Sequence, residues 1–291
     1  MKNTKIILTF FTLWLSIFFN EILEDYIAYF CILSLGILHG ANDLGIGKKT
    51  LQTHSYISKK WFLLLIYVST IFCISFLLMQ FPSVTLALFV LLSAYHFGEQ
   101  HWESFISNKG VFTKLFMTAY GMSIFTLLFS AHSPIVSEII ADITSTVVSY
   151  KFLQISMYVS LGITALLYII KYRNQFEYSF ALRQAFYLLV FFVVFNSTTL
   201  LWAFAIYFIF WHSLPSLVDQ MNFLFARNDF KGFLMFVKSS WLYWAMAVLS
   251  LVAYYFILKQ YFVLELSMFF AFLTALTMPH IFLMYFSKKV E

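Results

Sequence analysis

Charged residues are scarce in this sequence: they make up 11% of 291 residues, whereas 62% are hydrophobic and the mean hydropathy is +0.85. A soluble domain of this size could not hide that much apolar surface. Cysteine is also rare, and Cys31 and Cys73 both lie inside apolar runs. A disulfide framework is therefore not indicated. The sequence lacks an aromatic–basic motif for nucleic acid as well, so its net charge of +5 needs another explanation.

The apolar runs are long and unbroken, and they do not alternate over ten-residue segments. Because a backbone in lipid must satisfy its own hydrogen bonds, such runs favour helices over a barrel. The sequence predicts an all-α, polytopic membrane helix bundle that forms a single integral membrane domain over residues 1–291. About ten transmembrane helices are expected, or nine if the short seventh span is not separate. The predicted spans are 5–20, 25–40, 61–80, 84–101, 112–131, 151–170, 182–196, 199–217, 236–258 and 262–286.

The positive-inside rule gives these spans an orientation. With the N-terminus in the cytoplasm, 16 of the 18 basic residues fall in cytoplasmic segments, and only Lys151 and Lys259 fall outside. The positive charge is thus explained by membrane topology. We expect a multi-pass protein of the cell membrane with both termini in the cytoplasm.

Four histidines come near the predicted cytoplasmic ends of spans two, four, eight and ten. They are His39, His96, His212 and His280. Ionisable groups at membrane depth are costly and usually functional, so four imidazoles at one depth suggest a shared metal site. The alternative is four separate interfacial or hydrogen-bonded histidines. The other three histidines differ: His54 is in a polar loop, His101 is at a helix end, and His132 is at the opposite face of the membrane.

Two carboxylates lie within one turn of these histidines and are the candidate catalytic residues. Asp43 follows His39, and Glu99 follows His96. This spacing suits a carboxylate that holds an imidazole N–H, although both can equally be ordinary interfacial residues. If a metal binds, neutral imidazoles suit iron, zinc, copper or nickel. The histidines do not form the clusters of di-iron lipid oxidases, so a single metal ion is favoured.

The four histidines lie in short motifs, which are His-Gly-Ala-Asn-Asp at 39–43, Tyr-His-Phe-Gly-Glu at 95–99, Trp-His-Ser at 211–213 and Pro-His at 279–280. Taken in order, these motifs resemble those of the Brp/Blh family of membrane β-carotene 15,15′-dioxygenases. The resemblance implies a multi-helix membrane protein with histidine-bound, non-haem Fe(II). It implies cleavage of the central double bond of β-carotene by O₂ to give retinal, with the lipid bilayer as the source of the carotenoid substrate.

The resemblance matches His39, His96 and His212 to metal-ligand positions, with one departure from the family pattern. That pattern has a second histidine four residues after the Trp-His-Ser histidine, and here the position is Ser216, after Pro215. Serine is a poor ligand, so His280 completes the set, or a three-histidine site remains, or activity is altered or lost.

Two other classes of function fit the same sequence. A transporter or channel could line a proton or metal path with histidines, although no internal repeat is apparent and the histidines cluster at one side. A catalytically silent carotenoid- or retinoid-binding membrane protein is the second alternative. The oligomeric state is not predicted.

Overall fold

The computed structural model describes residues 2–51, 60–106 and 110–290. These residues form α-helices, two π-helical segments and one short 3-10 helix, with no strand among them, which confirms the predicted all-α class. The helices in chain order are α1 (Lys2–Ser16), α2 (Glu21–Cys31), π1 (Ile32–Gly36), α3 (Ile37–Gly40), α4 (Asp43–Thr50), α5 (Lys60–Gln80), α6 (Pro82–Trp102), α7 (Val111–Ala131), α8 (Ser133–Thr144), α9 (Tyr150–Lys171), α10 (Tyr178–Ser197), α11 (Leu200–Tyr207), π2 (Phe208–Ser213), α12 (Leu214–Phe225), α13 (Phe230–Leu258), the 3-10 helix Lys259–Tyr261 and α14 (Glu265–Val290).

Eight helical stretches of the described residues are long and apolar enough to cross a membrane, which is roughly the predicted number. They are Glu21–Thr50, Trp61–Gln80, Val111–Ala131, Tyr150–Lys171, Tyr178–Ser197, Leu200–Phe225, Phe230–Tyr261 and Glu265–Ser287. The other two predicted spans correspond to α1, which is only 15 residues long, and to α6, which has 21 residues and a polar C-terminal end.

The second and eighth spans were expected to end at 40 and 217. Helix α3 does end at Gly40, and a turn at residues 41–42 separates it from α4, which continues to Thr50. The predicted end of the eighth span was wrong, because α12 runs on to Phe225. The polar residues beyond His39 find partners inside the protein: the Asn42 amide donates to Ser239 Oγ at 2.7 Å, and the Lys49 ammonium donates to the Phe223 carbonyl. These contacts explain how polar residues beyond the second predicted span are accommodated in the turn and in α4.

The chain forms two compact units. The first comprises Met1–Ala28 with Ala87–Tyr207, and the second comprises Tyr29–Leu86 with Phe208–Glu291. The prediction of a single membrane domain over 1–291 stays a prediction.

In the first unit, hydroxyl pairs and glycines hold the helices together. Helix α7 is joined to α9 by Ser123–Thr164 at 2.9 Å and Thr126–Ser160 at 2.7 Å, as is common where helices pack in lipid. Helices α6 and α7 come into backbone contact through two glycines. A Cβ on Gly98 would overlap the Met117 carbonyl, and a Cβ on Gly121 would overlap the Ala94 carbonyl. No larger residue fits at this crossing.

In the second unit, α14 packs against α4 and α5, and π1 packs against π2. Helix α3 is held by a small core in which Leu38 meets Leu217 and Met221 of α12 and Phe236 of α13. The Trp244 indole N–H also donates to the Leu33 carbonyl at 2.7 Å. These contacts fix the helix that carries His39.

Candidate metal centre

Three of the four predicted histidines come together in the second unit. His39, His212 and His280 each offer a ring nitrogen, and these atoms all lie within 4.8 Å of one another. The side chains are buried, with exposed fractions of 4%, 2% and 4%. They are separated by up to 241 positions in the sequence and come from three helices, α3, π2 and α14. Only the fold brings them to one point.

The three imidazole rings are arranged around His39. Its ring centroid is 5.1 Å from that of His212 and 5.0 Å from that of His280, with interplanar angles of 89° and 88°. The rings are therefore not stacked, and their edges can face a common centre. Three buried imidazole nitrogens this close to one another can serve together as ligands of one cation.

The π-helical segments place two of these histidines. His39 comes three residues after π1, and His212 lies within π2. A π turn inserts one residue into an α-helix and rotates the side chains that follow it, and such turns are frequent at functional sites. Segment π2 ends just before Leu214-Pro215, where proline cannot donate the next helical hydrogen bond.

Gly36 lets the two π segments approach each other. A Cβ at this position would lie 2.8 Å from Cε1 of Phe208, so a side chain would push that ring aside. Phe208 in turn stacks on His212 at 5.5 Å and meets His39 edge-on at 5.5 Å. The close approach therefore supports both imidazoles with the same aromatic ring.

Hydrogen bonds define which nitrogen is available in two of the rings. The Nδ1 of His39 faces the Gly36 carbonyl oxygen, and the Nδ1 of His280 lies 2.8 Å from Asp43 Oδ1. A carbonyl and a carboxylate only accept, so in both rings Nδ1 carries the proton. The Nε2 lone pairs of His39 and His280 are then left to bind a metal.

Asp43 lies where it can orient a ligand, but it pairs with a different histidine from the one expected. The sequence placed Asp43 within a turn of His39 as a possible partner of that imidazole, whereas the carboxylate bonds to His280. The reason is local: α3 ends at Gly40 and α4 begins at Asp43, so the break redirects the side chain toward α14. Its second oxygen accepts a hydrogen bond from the Tyr67 hydroxyl at 2.8 Å.

His96 and Glu99 belong to the first unit, whereas the group of three histidines belongs to the second. Both are buried in α6, and Glu99 Oε1 accepts a hydrogen bond from the Tyr95 hydroxyl at 2.8 Å. Their roles as metal ligand and catalytic carboxylate stay predictions.

The remaining histidines lie outside the group of three. The His101 ring lies parallel to that of Tyr207, with 6.1 Å between centroids, in the first unit. His132 follows the end of α7, and burial lowers the pKa of its imidazole, so this ring is neutral at pH 7. The polar loop predicted around His54 lies outside the described residues.

Ser216, at the position where the family pattern has a histidine, is buried one turn after His212. Its Oγ accepts a hydrogen bond from Gln220 Nε2 at 3.1 Å. The position is thus occupied by a small polar pair inside α12. Gln220 carried no signal in the sequence, because a single glutamine in an apolar helix is equally typical of a helix interface.

A cavity of about 280 Å³ lies beside Asp43, between α4, α5 and α14. Its walls are mainly apolar and include Leu63, Ile66 and Phe282, with Asp43 and Tyr67 as polar members. Tyr67 was not predicted as a site residue, because a tyrosine in the apolar run of α5 has no distinguishing pattern.

Buried imidazoles at a shared centre, within helices long enough to cross a membrane, define a class: a multi-pass membrane protein with a candidate histidine metal centre. A family model described as beta-carotene 15,15′-dioxygenase matches residues 30–288, and the chain belongs to this family. The match confirms the resemblance drawn from the histidine motifs and supports carotene dioxygenase activity. Neither a curated protein nor a solved structure matches the chain significantly.

Proposed function

We propose that this protein cleaves the central double bond of β-carotene with O₂, giving two molecules of retinal, at a single Fe(II) centre. Membership of the carotene dioxygenase family supports the reaction class. The observation that carries the proposal is the buried group of His39, His212 and His280. Each oxygen atom of O₂ ends in one aldehyde, so the reaction balances without an external reductant.

The donor set fits iron. Three imidazoles that share one buried centre provide neutral nitrogen ligands of the kind that Fe(II) accepts. In two of them Nδ1 is already engaged, with Gly36 or Asp43 as the acceptor, which leaves Nε2 for the metal. His39, His212 and His280 would hold the ion, and the sequence adds His96 as a further candidate. Bound Fe(II) would supply the site that activates O₂.

The protein's own residues would orient and shield the reaction. Asp43 holds the proton on His280 Nδ1 and so keeps one tautomer and one ring direction. Phe208 packs against both His39 and His212 and excludes water from that side. A long apolar polyene dissolves in the bilayer, so an apolar helical protein suits a substrate that enters from lipid. We place the protein in the cell membrane with both termini in the cytoplasm.

Expression in cells that make β-carotene tests the proposal directly. We expect loss of orange colour and two retinal molecules per β-carotene consumed, and neither should occur without oxygen. The His212→Ala variant should leave the pigment unchanged, because it removes a buried imidazole of the centre. His132→Ala is the control, since it removes a half-buried imidazole outside the group.

The products separate the proposal from its alternatives. An apocarotenal of another length would keep the enzyme class and contradict the choice of bond. Unchanged carotenoid, with iron-loaded protein in the membrane, would contradict the enzyme activity and favour a binding or transport role.

A further inference from the structure

Tyr67 forms the outer end of a hydrogen-bonded chain that leads to the histidine group. Its hydroxyl donates to Asp43 Oδ2 at 2.8 Å, and Asp43 Oδ1 accepts from His280 Nδ1 at 2.8 Å. The three residues come from α5, α4 and α14. Hydrogen bonds thus join a phenol, a carboxylate and an imidazole in series. The imidazole, that of His280, is one of the three in the candidate metal centre.

Two donors on opposite oxygens fix the orientation of the Asp43 carboxylate. This side chain is only 2% exposed, so solvent contributes little to holding it. With one bond to α14 alone, the carboxylate could rotate about its Cβ–Cγ bond and still accept from His280. The second bond, to α5, defines the plane of the carboxylate and thereby the direction of its bond to the imidazole.

The surroundings make the Tyr67 hydroxyl hard to replace. Tyr67 and Asp43 both line the mainly apolar cavity of about 280 Å³ between α4, α5 and α14. Leu63 and Ile66 of α5 and Phe282 of α14 are among its other walls. A phenylalanine at position 67 would keep the ring in place and leave Oδ2 without this donor. An unmet hydrogen bond to a buried charged group is costly, so the carboxylate would then reorient.

We propose that Tyr67 is a positioning residue of the metal centre. Its hydroxyl holds Asp43 in the orientation that keeps His280 Nε2 directed at the ion. This role rests on the metal centre of the proposed function, and it assigns Tyr67 no contact with substrate. Tyr67 acts through Asp43 alone. The effects of replacing the two residues on metal affinity should therefore not be additive.

The test measures Co²⁺ binding to the purified full-length protein in detergent, by titration and by the visible absorption of the bound ion. Replacement of residues that orient a metal ligand typically weakens affinity about 10–100-fold, and we expect this for Asp43→Asn. Tyr67→Phe is one step further out, so we expect a loss of about 3–10-fold and a shifted Co²⁺ spectrum. Tyr254→Phe is the control, because it removes a phenol of the same unit whose ring packs on Phe272 at 5.7 Å.

The double variant separates positioning from a general structural effect. If Tyr67 acts only through Asp43, Tyr67→Phe adds no further loss of affinity to Asp43→Asn. Additive losses, or wild-type affinity and spectrum in Tyr67→Phe, would overturn the proposal. So would aggregation of Tyr67→Phe, since a positioning role predicts an inserted, monodisperse protein that binds metal weakly.

The same titration distinguishes this proposal from the proposed function. Wild-type protein that binds Co²⁺ and shows the Tyr67 effect, but leaves β-carotene intact as the iron form, would contradict the reaction alone. Wild-type protein that binds no Co²⁺ would overturn the metal centre and the role of Tyr67 together.

Discussion

At the scale of single residues, the partners of Nδ1 distinguish the histidines of the centre. His39 faces a neutral carbonyl, that of Gly36, whereas His280 faces the carboxylate of Asp43. A carboxylate partner raises the basicity of an imidazole ligand more than a carbonyl does, because it stabilises the positive charge that develops on coordination. His280 is thus expected to be a stronger donor than His39.

Replacement of any one of His39, His212 and His280 by alanine should reduce iron from about one ion per chain to background. Loss of a direct ligand should exceed the roughly 10–100-fold effect of losing a residue that orients one. Metal analysis of membrane-extracted protein measures the change. We expect His132→Ala to retain iron, because its ring lies outside the group. Full retention of iron in His212→Ala would refute the centre.

His96→Ala extends this test to a residue chosen from the sequence alone. The family resemblance matches His96 to a ligand position, so we expect this variant to lose iron as well. Iron at the wild-type level in purified His96→Ala would limit the ligands to the three histidines of the second unit.

At the scale of secondary structure elements, the sequence predicted the helices well and their internal irregularities not at all. Long apolar runs such as 151–170 correspond closely to helices, here Tyr150–Lys171. The reason is that a backbone segment in lipid satisfies its own hydrogen bonds by forming a helix. The segments π1 and π2 escaped prediction, since one inserted residue scarcely changes an apolar pattern. Helix α8, Ser133–Thr144, was also missed, because it is too short to stand out as a span.

The candidate site, too, could be predicted only in part from the sequence. The depth of His39, His212 and His280 followed from where the apolar runs end, and the structure brings these residues together. The pairing of Asp43 with His280 could not be predicted, because it joins positions 237 apart and depends on the break between α3 and α4. The role of Tyr67 could not be predicted either, because it depends on a contact between helices that the sequence does not reveal.

The crossing of α6 and α7 gives a prediction at this scale. Gly98→Ala or Gly121→Ala should lower the thermal stability of the detergent-solubilised protein, because each added methyl would overlap a backbone carbonyl of the other helix. Overpacking of this kind costs about 1–3 kcal/mol, and backbone relaxes less readily than a side chain. The midpoint of thermal unfolding measures the effect.

Gly162→Ala is the matched control for this crossing. Gly162 lies inside α9, and a Cβ there would meet nothing within 4 Å. Since alanine favours a helix by about 0.8–1 kcal/mol over glycine, this variant should be neutral or slightly more stable. If Gly121→Ala behaved like Gly162→Ala, the close approach of α6 and α7 would be contradicted.

At the scale of the whole molecule, the distribution of positive charge has to agree with the number of membrane crossings. Sixteen of 18 basic residues fall on one side only if ten helices cross, since loss of one crossing inverts every later loop. Helix α1 and helix α6 are the two that do not meet the length and hydropathy expected of a span. At about 1.5 Å per residue, α6 is still roughly 31 Å long, which is enough to cross the hydrocarbon core.

Cysteine labelling of intact cells tests this topology at two exposed turns. After Cys31 and Cys73 are replaced by serine, Val147→Cys should react with a membrane-impermeant maleimide, because its turn follows α7 and α8 on the predicted outer side. Asn228→Cys, beside the Arg227–Asp229 ion pair, should react only after the cells are permeabilised.

If α6 does not cross the membrane, Val147 and Asn228 exchange sides while an N-terminal tag stays inside. Labelling of Asn228 from outside would therefore contradict the ten-helix topology, and with it the shared cytoplasmic depth from which the histidine centre was predicted.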